Sequence, residues 1–154
     1  MAALQLNVQT ATAIALTAAT AETVLQVIAP TNQRVKILGF GVYFDGATPT
    51  AVPVIVQLRR QTTAIGGTPT AVTIYKSDDM IGTTIQTTAT TYGTSPTEPT
   101  NTDVLKRIEV HPQTGYEFSY PYGQEAIIGS GERVGIICNA PAGVNVIPYI
   151  RIEE

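Results

Sequence analysis

The chain has 154 residues, enough for one domain with a substantial core, and a single cysteine, so no disulfide within the chain can supplement that core. Only 14% of residues are charged, the net charge is -3, and Lys and Arg are scattered singly apart from Arg59-Arg60, which excludes the basic stripe of a nucleic-acid binder. No apolar run reaches about 18 residues and no Lys/Arg-rich region opens the chain, so neither a membrane span nor an export signal is expected, and the reading is of a soluble protein made in a cytoplasm.

Residues 1–20 are rich in Ala and Thr, with neither helix caps nor a clear period, and are expected to form an extended N-terminal arm. The arm is either a frayed end or a strand that pairs with a neighbour's sheet edge, and its removal is expected to leave the fold intact. Residues 21–154 are expected to form one domain. Glu22 to Ala29 reads as a first core strand closed by Pro30-Thr31-Asn32, and Arg34 to Gly46 as the longest strand. In the latter, Gly39 and Gly41 share a parity, which leaves a shallow groove where backbone or an aromatic ring can lie close to the sheet.

Val52 to Arg60 gives a third strand, with Pro53 at its start or on an edge and Val54, Val56 and Leu58 facing inward. Between Gln61 and Asp79 the run Ala71-Val72-Thr73-Ile74-Tyr75 is expected to carry a short strand or a helical turn. Thr83 to Thr91 is strand-like by residue type yet poor in large apolar groups, which points to an edge. Gly93 to Asn101, with Pro96 and Pro99, reads as a loop within the domain rather than a linker, because neither flank is long enough for a core of its own.

Asp103 to Val110 resumes strand with Lys106 as an intruder on the apolar side, and His111-Pro112 breaks it. Tyr116 to Tyr120 and Glu125 to Ile128 are short strands separated by Pro121-Tyr122-Gly123. The final stretch reads as a β-hairpin: Val134, Ile136 and Cys138, then Val144, Val146, Ile150 and Ile152, on one parity around a turn containing Pro141 and Gly143. About eight short strands and no helical period predict an all-β fold, a β-sandwich or barrel. Long connections at 61–80 and 92–102 favour a jelly-roll-like sandwich.

Candidate chemistry is sparse. His111 is the only imidazole, no G-x-S-x-G elbow surrounds a serine, and Cys138 lies inside a strand, where it reads as a small buried hydrophobe. One His and one Cys cannot build a zinc site in one chain. Asp78-Asp79 is the one adjacent acidic pair before the terminus and lacks the spacing of a calcium loop, so a solvated turn is expected there. Glu109, Glu117 and Glu125 are the carboxylates from which a glycoside hydrolase would need two about 5 to 10 Å apart. Tyr116, Phe118, Tyr120 and Tyr122 are either core packing or a stacking platform for sugar or protein. No catalytic residue, metal or cofactor is assigned.

At the C-terminus, Gly131-Glu132-Arg133-Val134-Gly135-Ile136, then Ala140-Pro141, Val144-Asn145-Val146 and Tyr149-Ile150-Arg151-Ile152-Glu153-Glu154, resemble the closing hairpin of tailed-bacteriophage capsid decoration (cement) proteins. The pattern covers about the last quarter of the chain. The resemblance implies a non-enzymatic jelly-roll protomer of the virion, a homotrimer on the capsid exterior that bridges major capsid proteins and stabilises the shell. It implies capsid or intersubunit contacts from the arm, through Leu4, Leu6, Val8, Ile14 and Leu16, and from Arg133, Arg151, Glu153 and Glu154. The alternatives are a trimeric phage receptor-binding, fibre-tip or glycan-binding β-sandwich, and a carboxylate-dependent hydrolase.

Overall fold

Strand-forming chemistry dominates the computed structural model, which describes residues 3–46, 52–77, 82–94 and 97–154. In chain order the strands are β1 (Gln5–Gln9), β2 (Ile14–Leu16), β3 (Ala21–Ile28), β4 (Val35–Phe44), β5 (Val54–Gln61), β6 (Thr68–Ala71), β7 (Ile74–Lys76), β8 (Thr88–Thr94), β9 (Asn101–Val110), β10 (Gly115–Ser119), β11 (Ala126–Ile128), β12 (Arg133–Asn139) and β13 (Val144–Glu153). The described residues thus hold thirteen strands, not about eight, and among them no helix is long and apolar enough to cross a membrane.

Two antiparallel sheets result. One has the order β10-β4-β13-β1-β7, with β11 also beside β4 and β2 beside β13; the other has the order β6-β8-β3-β12-β5-β9. Alternation supplies the core: Leu6, Val8, Phe40, Val42, Ile150 and Ile152 from the first sheet meet Val27, Val56, Leu58, Val134 and Ile136 from the second in one buried cluster. Each such side chain contributes about 1.5–3 kcal/mol by leaving water. This is the expected β-sandwich, a class broader than the jelly roll.

Three expectations are corrected. The last two strands are not a hairpin. β12 pairs with β3 and β5 in the second sheet, and β13 with β1, β2 and β4 in the first, so the turn at 140–143 carries the chain from one sheet to the other. Pro141 and Gly143 signal a reversal, but both strands turn an apolar face to the same core from opposite sides, a pattern that a hairpin shares.

The N-terminal segment is not an arm either. Leu6 pairs with Ile152 on one side and Lys76 on the other, and Leu4 and Glu154 exchange two backbone hydrogen bonds of 2.9 and 3.0 Å. Leu4, Leu6, Val8 and Leu16 are at most 5% exposed, and Ile14 packs against the core. The physical reason is parity: Leu4, Leu6 and Val8 alternate with polar residues over a strand too short to stand out from the Ala/Thr background. The connection after Gln61 holds two short strands, β6 and β7, which lie in different sheets. β8 begins only at Thr88, so 83–87 is not strand.

Other readings hold in detail. Pro53 precedes β5, and Lys106 is accommodated because its amine sits 4.4 Å from the centre of the Phe118 ring, where the ring's negative face offsets lost hydration. Of the loop expected at 93–101, Gly93 and Thr94 end β8, Asn101 opens β9, 95–96 lie outside the described residues, and 97–100 folds back over the second sheet. Its Glu98 accepts hydrogen bonds from the Thr23 amide and hydroxyl, while Gly66 donates to the Thr97 carbonyl. Beneath these loops Gln26 donates to Gln61 at 2.7 Å, and Gln61 donates to Thr23 and Asn101 at 3.0 and 2.9 Å. Gly135 leaves the space in which the Gln61 amide lies.

Leu6→Ala, in the middle of the first sheet, should cost about 2–5 kcal/mol in urea unfolding. Removing residues 1–9 should abolish the cooperative transition rather than leave it unchanged.

Candidate functional site

With the second sheet roofed over its centre by the 61–66 and 97–101 loops, the outer side of the first sheet is the open face of the sandwich. The residues that point there are fixed by alternation. Val42 and Phe44 point into the core, so Tyr43 points out; Ile150 and Ile152 point in, so Tyr149 and Arg151 point out; Leu6 and Val8 point in, so Asn7 and Gln9 point out. Tyr75, opposite Asn7 in the ladder, shares that face.

Glycines seat the rings. Gly41 lies opposite both Tyr149 and Glu117, and Gly115 lies opposite Tyr43. A Cβ on Gly41 would fall within the Tyr149 ring, and one on Gly115 within the Tyr43 ring. Both rings therefore lie down on the sheet, with centroids 6.2 Å apart and planes 20° from parallel. The groove expected at Gly39 and Gly41 is realised at Gly41, filled by an aromatic ring. Gly39 instead faces the Phe118 carbonyl and the Arg151 guanidinium.

Both phenols reach one carboxylate. Tyr43 and Tyr149 donate to Oε1 of Glu117, Tyr149 at 2.7 Å, and among the described residues Oε2 takes no hydrogen bond. The hydrogen bond from Tyr43, then that from Tyr149, holds the Glu117 carboxyl below its usual pKa. Burial and then the Glu117 hydrogen bond push the Tyr149 phenol up, and the Glu117 hydrogen bond chiefly raises that of Tyr43. Arg151 donates from Nη2 to the Ser119 hydroxyl. Asn7, Gln9, Tyr43, Ser77, Glu117, Tyr149 and Arg151 line a shallow groove of about 450 Å³.

Sequence-predicted residues fall elsewhere. Leu4, Leu6, Val8 and Leu16 are core, and Ile14 is half-buried. Arg133 donates to the Thr62 and Gly131 carbonyls, Glu153 pairs with Lys36 at 2.8 Å, and Glu154 accepts from the Gln86 and Thr87 amides. Of the nine, Arg151 and Glu153 reach the outer side of the first sheet, and only Arg151 lines the groove. Tyr116, Phe118 and Tyr120 turn inward around Phe40, with ring centroids 4.9–6.5 Å apart, and only Tyr122 is fully exposed.

Glu109 and Glu117 lie on outer faces of opposite sheets, where they cannot flank one bond, and Glu109 pairs with Arg107. Glu125 precedes β11, its carboxyl held low by backbone hydrogen bonds. The Glu22 carboxyl is buried at the end of the sandwich, accepting from the Thr17 amide and the Tyr92 phenol; burial and that bond push the phenol up to about 12. Cys138 is fully buried and its thiol is pushed up by burial, while His111 is exposed in a turn, where its Nδ1 accepts from the Gln113 amide. Asp78-Asp79 lies outside the described residues, among which no cluster of three or more His, Cys, Asp or Glu could hold a metal ion.

The tyrosine–glutamate arrangement went unread in the sequence because Tyr43, Glu117 and Tyr149 are far apart in the chain; its signal was the glycine parity. No family model matches the chain, and no curated protein or solved structure matches it.

Because the folded-state pKa of Glu117 is depressed, its stabilising contribution is complete above the unfolded-state pKa and is lost as pH falls through the folded value. Urea midpoints measured from pH 6 down to pH 3 should fall more for the wild type than for Glu117→Gln. Gly41→Val should destabilise by about 1–3 kcal/mol, since the Tyr149 ring must leave its seat.

Proposed function

We propose that the chain is a non-enzymatic structural protein of a phage virion, a homotrimeric decoration protein that binds major capsid protein on the outer surface of the shell and stabilises it. The reading starts from the C-terminal resemblance, which is one of residue pattern, and a compact sandwich with its N-terminal strand zipped into a sheet suits a rigid clamp. With Leu4, Leu6, Val8 and Leu16 spent on the core, the contacts pass to exposed elements.

The observation that carries the reading is one lateral edge. There β9 borders the second sheet and β10 and β11 border the first, joined by the Lys106–Phe118 contact and by Arg60 donating to the Ile127 carbonyl at 2.7 Å. Val104 on β9 is 49% exposed, Ile127 on β11 is 43% exposed, and Tyr122 in the preceding turn is 99% exposed. A ten-residue edge strand beside exposed apolar side chains is a surface that a neighbouring subunit satisfies. Three copies related by a rotation close such a contact into a ring whose symmetry matches a threefold site.

A shell swollen by packaged DNA parts at its subunit junctions. A trimer seated across three of them adds buried area without altering the shell. A trimeric receptor-binding or fibre-tip domain is the second reading, favoured by the tyrosine-bearing open face.

Sedimentation velocity should give a trimer, and Val104→Asp combined with Ile127→Asp should shift it to monomer while the thermal transition is kept. A wild-type protein that stays monomeric at all concentrations and does not co-sediment with shells of its major capsid protein overturns the proposal.

A further inference from the structure

We propose that the open face of the first sheet is a binding site for a neutral oligosaccharide, held by Tyr43 and Tyr75 as stacking surfaces and by Glu117, Arg151, Asn7 and Gln9 as hydrogen-bonding groups. The inference concerns the open face alone and is independent of the edge that carries the assembly reading.

The aromatic surface is present without a packing role that accounts for it. Tyr149 is 9% exposed and completes the sheet, but Tyr43 is 44% exposed and Tyr75 58% exposed on the same side. Aromatic rings bring large contact area at small entropic cost, and the C–H face of a pyranose stacks on them as another apolar surface does. Tyr43 is also preorganised. Its ring is seated on Gly115 and tethered through its phenol to Glu117, so little freedom is lost on binding.

The polar groups match sugar hydroxyls in kind and number. Glu117 is fixed by two phenols on Oε1 and retains Oε2 as an acceptor for a hydroxyl. Arg151 spends Nη2 on Ser119 and keeps its other guanidinium N–H groups as donors, while the amides of Asn7 and Gln9 offer both donor and acceptor. A carboxylate, a guanidinium and two amides are the set that can bind adjacent hydroxyls in pairs.

Charge selects the ligand class. The groove holds one carboxylate and one guanidinium, so it offers no net attraction to phosphate, sulfate or uronate. The site also extends. Gln9 is shared with a second cleft of about 480 Å³, formed by residues 9–15, 70–73, 75 and 91–93 and walled by Thr, Ala and Tyr75, so the two give room for more than one sugar ring.

The test is native affinity electrophoresis in gels containing dextran, laminarin, yeast mannan or galactomannan, with heparin as the anionic arm. Saturation-transfer NMR with a tetrasaccharide of any positive glycan supplies the contact map. At least one neutral glycan should retard the protein. Tyr75→Ala and Tyr43→Ala should each weaken that binding about tenfold, with Tyr75→Ala, the more exposed position, keeping the wild-type thermal transition. The inference is overturned by no retardation in any neutral glycan, by retardation in heparin alone, or by retardation that both tyrosine variants retain. Sedimentation of the same samples keeps the two proposals apart: a trimer that ignores glycans overturns this one only, and a monomer that binds them overturns only the assembly reading.

Discussion

The architecture depends on the split of β12 and β13 between the two sheets. Each is the strand about which its sheet is built: β12 lies between β3 and β5, and β13 lies between β4 and β1. Both present alternating aliphatic residues to one core, and the turn at 140–143 spans the thickness of the sandwich with Ala140 wholly buried at its start. A hairpin in a single sheet would have turned both apolar faces to the core from the same side. The spanning turn instead gives each sheet a fully flanked central strand, and burial of Val134, Ile136, Val146, Ile150 and Ile152 follows.

The two outer faces then take different fates. On the second sheet, Thr23, Gln26 and Gln61 occupy positions where water would be expected, and the 61–66 and 97–101 loops close over them with hydrogen bonds of matching number, so the polar groups are buried but satisfied. On the first sheet, among the described residues, no such cover lies over the tyrosines. Their rings are held by glycine seats and a shared carboxylate instead, which yields a flat, rigid face that keeps aromatic area in solvent.

Strand identity was legible where apolar and β-branched residues alternate or cluster, as in β3, β4, β5, β9 and β12, and the sandwich class followed from it. Pairing was not. Nothing local to Val134–Cys138 or Val144–Ile152 distinguishes a partner in the same sheet from one across the core. β1 failed for the opposite reason: five residues with three apolar positions around them are weak beside an Ala/Thr-rich background, and only the ladder with β13 gives them meaning. At the site, the parity of Gly39 and Gly41 announced a place for a ring, and the ring came from Tyr149, far along the chain. The run from Tyr116 to Tyr120 has a single binary choice of face, and packing against Phe40 decided it inward, which sent Glu117 out.

The pairing of Leu6 with Ile152 and of Leu4 with Glu154 also sets a timetable. β1 is made well before β13, so its β13 side stays unpaired while β3, β5 and β12 of the second sheet are already made, even where β7 flanks its other side. Pairings of such long sequence separation slow the search for the native state, and an idle strand is open to the edges of other nascent chains. The polar Gln5, Asn7 and Gln9 that alternate with its apolar residues keep that waiting strand hydrated on one side. The tyrosine groove takes Tyr149 and Arg151 from β13, so it is complete only once β13 has docked between β4 and β1.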